Sequence, residues 1–176
     1  MIFYTGACHK WLCAPKGTSF LYVKKEHQPW VRPLIYSWGK NGDDPGPSEF
    51  LQDFQWQGTR DMAAFLTLPK VIQFFQEHIE GKRLSCKKLI RKTAAELARL
   101  FNTPPIYASA DWIHQMVSHP LPVNAPEDIK ERLWAAYKIE IPVFQWCGQR
   151  YIRVSCNVYN TGQQMEYFLN ALRSLI

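Results

Sequence analysis

A lysine near the start of the sequence has the surroundings of a reactive amine. Lys10 is the one permanently charged side chain among the first 15 residues, and it lies within Gly-Ala-Cys-His-Lys-Trp-Leu-Cys-Ala-Pro at positions 6–15. Apolar and aromatic neighbours reduce the hydration of an ammonium and favour the neutral, nucleophilic amine. This segment therefore indicates an amine that can form a Schiff base with a carbonyl compound. The alternative is a loop lysine that extends into solvent.

Two adjacent residues further along offer groups that suit a phosphate oxygen. Gly58 leaves its backbone amide unhindered, and Thr59 adds a hydroxyl beside it. Backbone amides and hydroxyls of this kind bind phosphate oxygens. The alternative is that Thr59 and Asp61 only begin the helix that follows, and Asp61 is expected to cap that helix under either interpretation.

Arg153 has the chemistry of a carboxylate-binding group. It lies on a predicted strand whose alternation points Ile152 and Val154 to one side and Arg153 to the other. A planar guanidinium can hold a carboxylate through two parallel hydrogen bonds, which suits an α-amino acid. A solvated strand arginine is the ordinary alternative.

The cysteines and the overall composition narrow the class of protein. The five cysteines include no Cys-x-x-Cys pair, so no metal site is expected, and reduced thiols in a cytoplasmic protein are predicted. The sequence contains neither an apolar run of about 20 residues nor an export signal, so no membrane partner is expected. Hydrophobic residues at 47% and charged residues at 20% indicate a packed globular protein.

A basic cluster raises the alternative of nucleic-acid binding. The formal net charge is +6, and six of the cations crowd one predicted helix: Lys82, Arg83, Lys87, Lys88, Arg91 and Lys92. Protein surfaces that bind single-stranded nucleic acid usually have aromatic side chains between the cations, and this helix has none there. A solvated helix face is therefore expected, with no nucleic-acid partner.

The elements that must position these residues follow from periodicity and turn chemistry. In the first part of the chain, short buried strands are expected at 2–5 and 18–23, joined by a tight loop, and a mobile loop at 39–47. A helix over 62–80 is expected to kink at Pro69 and end at Gly81. We expect a boundary at Gly81–Lys82, between strands with loops and a compact α+β lobe.

The second part of the chain is predicted to alternate between helices and strands. An amphipathic helix at 83–102 should bury Ile90, Ala94, Leu97 and Phe101. Beyond it the patterns predict a strand near 114–119, a helix from about 125 to 138 whose start is marked by Asn124, and strands near 139–146 and 150–156 joined by a turn at 147–149. A final helix is predicted from about 162 to 175. The Thr161-x-x-Gln164 pattern indicates a capping box for the last helix.

Three motifs in this order resemble those of a known enzyme family. They are the run from Tyr4 to Val23 around Lys10, the segment Gly58-Thr59-Arg60-Asp61, and the segment Tyr151 to Ser155 with Tyr159-Asn160-Thr161. The chain resembles the class V aminotransferases, which depend on pyridoxal phosphate, and within them the isopenicillin N epimerase-like proteins. The resemblance implies an α/β fold of the aspartate aminotransferase type, fold type I. Residues 1–81 would end the large cofactor domain and residues 82–176 would form the small C-terminal domain.

The resemblance also implies roles for single residues. Lys10 would form the Schiff base with the cofactor and move the substrate's α-proton, with His9 helping to hold the cofactor phosphate. The alternative for His9 is a loop histidine bonded to backbone. Thr5 would reach the phosphate, and Gly58 and Thr59 would contact the cofactor of a neighbouring subunit, which implies a homodimer. Arg153 would bind the carboxylate of a small amino-acid substrate.

The functional hypothesis is therefore an isopenicillin N epimerase-like enzyme, with two alternatives. One is a truncated, non-catalytic fragment, because the family's phosphate loop, ring-stacking residue and pyridine-binding aspartate precede the lysine, and Lys10 is the tenth residue. The other is cysteine-sulfur lyase or desulfurase-type activity in a full-length parent. Cys147 lies near the position of a desulfurase's persulfide cysteine, but the predicted turn is too short for that family's catalytic loop. Cys147 is thus expected to be incidental.

Overall fold

The computed structural model describes residues 2–36, 40, 47–55 and 58–176. The chain divides into two compact units, Met1–Phe75 and Gln76–Ile176. This division falls inside a helix, a few residues before the boundary that the sequence indicates at Gly81–Lys82. The assignment of the two parts to a large and a small domain stays a prediction.

In the first unit, two strands form an antiparallel ribbon. Strand β1 (Phe3–Ala7) pairs with β2 (Ser19–Val23), so that Phe3 lies opposite Val23 and Ala7 opposite Ser19. A 3-10 helix (Lys25–Trp30) follows, and then the helices α1 (Glu49–Gln55), α2 (Ala63–Leu66) and α3 (Leu68–His78). The position of both strands agrees with the sequence pattern.

The expectation that these strands are buried is wrong. Val23 is buried, whereas Phe3, Leu21 and Tyr22 are between 44% and 51% exposed. Within the described residues the two strands pair only with each other. A two-stranded ribbon has no second layer to cover its faces, and alternation cannot reveal whether such a layer is present.

The helices of the first unit also differ from expectation. The predicted helix at 62–80 is divided into Ala63–Leu66 and Leu68–His78, although Thr67 between them still donates its N–H to the Ala63 carbonyl over 3.2 Å. Pro69 therefore lies in the first turn of α3, where its missing N–H is tolerated, and does not kink a continuous helix. Gly81 lies in a 3-10 turn (Glu80–Lys82) beyond the end of α3. Most of the loop predicted at 39–47 lies outside the described residues.

The second unit contains a three-stranded antiparallel sheet with helices packed on it. Its elements are α4 (Arg83–Phe101), β3 (Met116–Pro120), α5 (Ile129–Tyr137), β4 (Val143–Trp146), β5 (Gln149–Ser155) and α6 (Gly162–Leu175). The strand order is β3-β5-β4, which places β5 in the centre. Cys147 and Gly148 join β4 to β5, and their positive φ angles of 47° and 76° are those of a tight hairpin turn.

The core of this unit agrees closely with the predicted helix faces. Ile90, Ala94, Leu97 and Phe101 on α4 are at most 5% exposed and belong to one cluster that extends through the sheet to Leu172 on α6. The capping box of α6 is confirmed: the Gln164 N–H donates to Thr161 Oγ1 over 3.2 Å, and the Thr161 N–H donates to Gln164 Oε1 over 3.0 Å.

Helix α5 and strand β4 both begin later than predicted. Asn124 does not start α5, whose N-cap is Asp128. Pro126 explains the later start of α5, because the helical backbone conformation is unfavourable for the residue that precedes a proline. The strand expected from 139 begins at Val143, directly after Pro142, which has no N–H to donate to a ladder.

In the part of the chain that the structure describes, no helix is long and apolar enough to span a membrane.

Candidate functional site

Lys10 lies in a hydrogen-bonded loop between β1 and β2. The Cys8 N–H donates to the Thr18 carbonyl over 3.0 Å, and the Ala14 N–H donates to the Cys8 carbonyl over 3.0 Å. The Cys13 N–H closes the tip of the loop on the Lys10 carbonyl over 3.1 Å. This is the tight loop that the sequence predicts, and it fixes the backbone at Lys10 independently of any large apolar core.

The Lys10 side chain is exposed in this unit. Cys8 and Ala14 of the same loop are buried, but Trp11 next to Lys10 is 39% exposed. The apolar surroundings expected from the sequence therefore do not enclose the amine. Among the described residues no hydrogen bond or ion pair restrains Lys10 Nζ. The amine is therefore accessible to a carbonyl compound.

His9 and Thr5, the predicted phosphate contacts, both make bonds to the backbone of β2 or the residue before it. His9 Nδ1 lies 3.2 Å from the Thr18 carbonyl oxygen. Because a carbonyl only accepts, Nδ1 carries the hydrogen, and Nε2 is left for a ligand. The Thr5 hydroxyl donates to the Phe20 carbonyl over 2.7 Å. Thr5 would have to exchange that bond before it could donate to a phosphate.

Gly58 and Thr59 lie between α1 and α2 and are exposed. Gly58 has a φ of +99°, and no atom lies within 4 Å of the position that a Cβ would take. The space beside its α-carbon is therefore open, and the backbone conformation itself favours glycine. The N-cap of α2 is Met62 and not Asp61 as predicted, although Asp61 Oδ1 accepts the Ala63 N–H at the start of this helix over 2.8 Å.

Arg153 occupies the central strand of the other unit. Ile152 and Val154 are buried in the core, as the predicted alternation requires. The Arg153 N–H donates to the Pro142 carbonyl over 3.0 Å, which anchors the strand at this position. The Nε atom of Arg153 is buried and has no hydrogen-bond partner in the described part of the chain. A buried guanidinium N–H without a partner is costly, and an anion would satisfy it.

Arg153 lines a cavity of about 450 Å³. The walls come from β5, from the segment between α5 and β4, and from the first turns of α6, including Tyr137, Glu140, Asn160 and Tyr167. The Tyr167 hydroxyl donates to the Tyr137 carbonyl over 3.2 Å, and their rings meet edge to face. This volume accommodates a small organic acid beside the guanidinium.

The cysteines carry little reactive chemistry. All five are free thiols, and Cys8, Cys86 and Cys156 are buried. Burial, with the nearby Cys86 thiol, raises the pKa of Cys156 to about 12, so that its nucleophilic thiolate is scarce at neutral pH. Cys147 is exposed on the two-residue turn. Among the described residues, no three His, Cys, Asp or Glu side chains are grouped to hold a metal ion.

The basic helix face is partly committed to contacts within its own unit. Arg91 donates to Asp111 Oδ1 over 3.0 Å and to the Ile113 carbonyl over 3.4 Å. The same guanidinium lowers the pKa of Asp111. Arg83 donates to Gln115 Oε1 over 3.3 Å. These bonds tie α4 to the segment before β3, whereas Lys88 and Lys92 are exposed.

The motifs agree with comparisons to known proteins. The family model described as aminotransferase class V matches residues 2–168. Isopenicillin N epimerase from Amycolatopsis lactamdurans is 28% identical over 185 residues, which covers 98% of this chain and 46% of the relative. A probable chloroplastic L-cysteine desulfhydrase from Arabidopsis thaliana is 27% identical over 193 residues, which covers 99% of this chain and 40% of that relative. The chain thus spans about half the length of the curated relatives it matches.

Solved structures support the fold. The apo cysteine desulfurase from Thermococcus onnurineus matches with a TM-score of 0.72 and 21% identity, over 99% of this chain and 46% of that one. A variant of the cystine C-S lyase C-DES, with glycine covalently linked to its PLP cofactor, matches with a TM-score of 0.74 and 18% identity, over 100% and 46% of the two chains. The predicted α/β class and fold type I are confirmed.

Proposed function

The chain belongs to the class V aminotransferase family, whose enzymes depend on pyridoxal phosphate, and we propose that it acts on an amino acid by epimerisation at the α-carbon. The accessible amine of Lys10, fixed on its hydrogen-bonded loop, is the observation that carries this proposal. Its motif is the one that the family uses to bind the cofactor.

The residues around Lys10 fit a phosphorylated aldehyde. The Lys10 amine is free to react with the aldehyde. His9 Nε2 makes no hydrogen bond to another described residue and can therefore bind the phosphate. The exposed Gly58 and Thr59 would supply an amide and a hydroxyl to the cofactor phosphate of the neighbouring subunit. Thr5 joins them only if its bond to Phe20 is exchanged. When bound, pyridoxal phosphate draws electrons from the bonds at the substrate's α-carbon.

The protein's own groups then have distinct tasks. Lys10 Nζ accepts the α-proton on its own face of the substrate, which requires the neutral amine. Arg153 holds the substrate carboxylate through its guanidinium and so sets the orientation of the α-carbon bonds. Epimerisation further needs a proton donor on the face of the α-carbon opposite Lys10.

We also propose that the active form is a homodimer. Gly58 and Thr59 are exposed on the loop between α1 and α2, where they can contact the cofactor of a neighbouring subunit. A cytoplasmic location goes with the free thiols of all five cysteines.

Cysteine C-S bond cleavage is the second candidate, because the similar proteins include L-cysteine desulfhydrases. A persulfide mechanism on Cys147 is disfavoured, since this thiol lies on a two-residue turn held between β4 and β5. Sulfide release from L-cysteine, measured with and without Cys147 blocked, separates the possibilities. Loss of release on blocking would make Cys147 catalytic.

The test of cofactor binding uses the full chain and a matched lysine. Pyridoxal phosphate is titrated into the wild type, Lys10→Ala and Lys16→Ala, and the visible absorbance of a protein-bound Schiff base is followed. We expect the band in the wild type and Lys16→Ala and its loss in Lys10→Ala. Lys16 is the control because it is an exposed lysine in the same loop. A band that persists in Lys10→Ala, or its absence from the wild type, would contradict the proposal.

A further inference from the structure

The cavity beside Arg153 contains two side-chain amides whose orientation is fixed by the backbone. Asn160 and Gln164 both line this cavity. Asn160 Oδ1 accepts the Asn157 N–H over 2.9 Å, and Gln164 Oε1 accepts the Thr161 N–H over 3.0 Å. A backbone N–H can donate only to an amide oxygen, so the oxygen of each amide is identified by its partner.

This assignment leaves the two NH2 groups as the unused polar ends. Each NH2 carries two donor hydrogens and no acceptor. No bond from Asn160 Nδ2 or Gln164 Nε2 to another described residue accompanies the two oxygen contacts. Both amides belong to residues that line the same cavity as Arg153, whose buried Nε has no hydrogen-bond partner among the described residues.

The remaining charges around the cavity do not cancel this donor character. Lys138 also lines it, but its Nζ donates to the Ala135 carbonyl over 3.2 Å. Glu140 is the one acid among the described lining residues, and it is exposed. Arg153, Asn160 and Gln164 thus line one cavity, and a guanidinium combined with amide N–H donors suits a planar carboxylate.

We infer that Asn160 and Gln164 bind the substrate carboxylate together with Arg153, which rests on the role proposed above for that arginine. Arg153 supplies the charge, and the two amides select the planar anion by adding neutral donors at fixed positions. The same bonds that cap the start of α6 thereby orient the binding site.

Isosteric substitutions separate the binding role from the capping role. Asn160→Asp and Gln164→Glu keep the oxygen that accepts the backbone N–H and replace only the NH2 by an anionic oxygen. Glutamate is itself a regular capping-box residue, so Gln164→Glu is expected to fold like the wild type. Gln163→Glu is the matched control, because Gln163 lies in the same helical turn and is exposed outside the cavity lining.

The experiment is an NMR titration of the full chain, labelled with nitrogen-15, with sodium acetate as the probe. The Nε–H resonance of Arg153, assigned by its loss in Arg153→Lys, reports binding, and sodium chloride at equal ionic strength is the blank. We expect acetate to shift this resonance in the wild type. The dissociation constant should rise about tenfold or more in Asn160→Asp and Gln164→Glu and stay within about twofold in Gln163→Glu.

The possible failures are distinct. If Asn160→Asp and Gln164→Glu bind acetate as Gln163→Glu does, the inference is overturned while the carboxylate role of Arg153 stands. If acetate leaves the Arg153 Nε–H resonance of the wild type unchanged, both the inference and that role are overturned. Neither result bears on cofactor binding by Lys10, which the absorbance titration measures separately.

Discussion

In Gln76–Ile176 most of the buried apolar side chains form one cluster that runs from Cys86 to Leu172, whereas in the described part of Met1–Phe75 the buried apolar residues are Cys8, Ala14 and Val23. Each unit holds one of the two main candidate groups. Arg153 lies on a central strand directly above a packed core, and Lys10 lies on a loop fixed by backbone hydrogen bonds. The position of Arg153, proposed to bind the substrate carboxylate, is thus set by packing, and that of Lys10, proposed as the reactive amine, by local hydrogen bonding.

The largest expected difference between the units comes from core truncation. Leu133→Ala removes a fully buried side chain of α5 and should lower the free energy of unfolding by about 3 kcal/mol. Leu21→Ala removes a side chain that is 46% exposed and should cost less than about 1 kcal/mol. Urea denaturation of both variants measures the contrast. Equal costs would show that the first unit is stabilised by packing as strongly as the second.

A buried histidine should make the second unit sensitive to acid. His119 is fully buried, with Nε2 3.0 Å from Thr103 Oγ1 and no partner for Nδ1 among the described residues. Burial lowers the pKa of His119, so the unfolded chain binds the proton first as the pH falls. The stability contribution is full above the unfolded pKa of about 6.5 and is lost as the pH falls through the lower folded value.

The slope within that window is at most about 1.4 kcal/mol per pH unit. Urea midpoints measured for the wild type and His119→Gln, from neutral pH downward, check this prediction. The glutamine variant should show the shallower pH dependence. Identical slopes in the two proteins would assign the acid sensitivity to other groups.

The capping box of α6 gives a smaller effect, confined to the second unit. Thr161→Ala removes the oxygen that accepts the Gln164 N–H and should lower the free energy of unfolding by about 1 kcal/mol. Thr161→Ser keeps the hydroxyl and serves as the control, with a change near zero. The absence of any difference between the two variants in urea denaturation would mean that the cap adds nothing to stability.

The smallest effect is expected at the exposed ribbon. Thr5→Val retains the side-chain shape but removes the hydroxyl that donates to the Phe20 carbonyl, at a cost of about 0.5 kcal/mol. The exposed carbonyl can bond to water instead, which limits the loss. Amide hydrogen exchange in β1 and β2 measures the change, and protection elsewhere should stay constant. An effect that spread to α4 would contradict the local character of this bonding.

Sequence patterns predicted the elements whose signals are local. The periodicity of Ile90, Ala94 and Leu97 identified the buried face of α4, and the Thr161-Gln164 pair identified the start of α6. Helix α1 was missed, although Ser48 Oγ accepts the Leu51 N–H over 3.2 Å and is a capping signal in a segment rich in turn formers. The exposure of β1 and β2 depends on tertiary layers, which alternation does not encode.

The candidate site was predictable in its motifs but not in its surroundings. Arg153 and Lys10 stand out by residue type and motif, and the structure places them on the expected strand and loop. From the sequence, Asn160 belongs to a family motif and Gln164 to the capping box of α6, and neither was predicted to bind a ligand. The binding role that we propose for them depends on a cavity formed by residues distant in sequence, such as Tyr137 and Arg153.

The central claim is that the Lys10 amine is the group that binds pyridoxal phosphate. The most direct measurement incubates the chain with the cofactor, reduces the mixture with borohydride, and locates the added mass by peptide mapping. We predict a single stable modification, on the Lys10 side chain, while Lys16 and the lysines of α4 stay unmodified. Modification spread over surface lysines, or none at Lys10, would contradict the account.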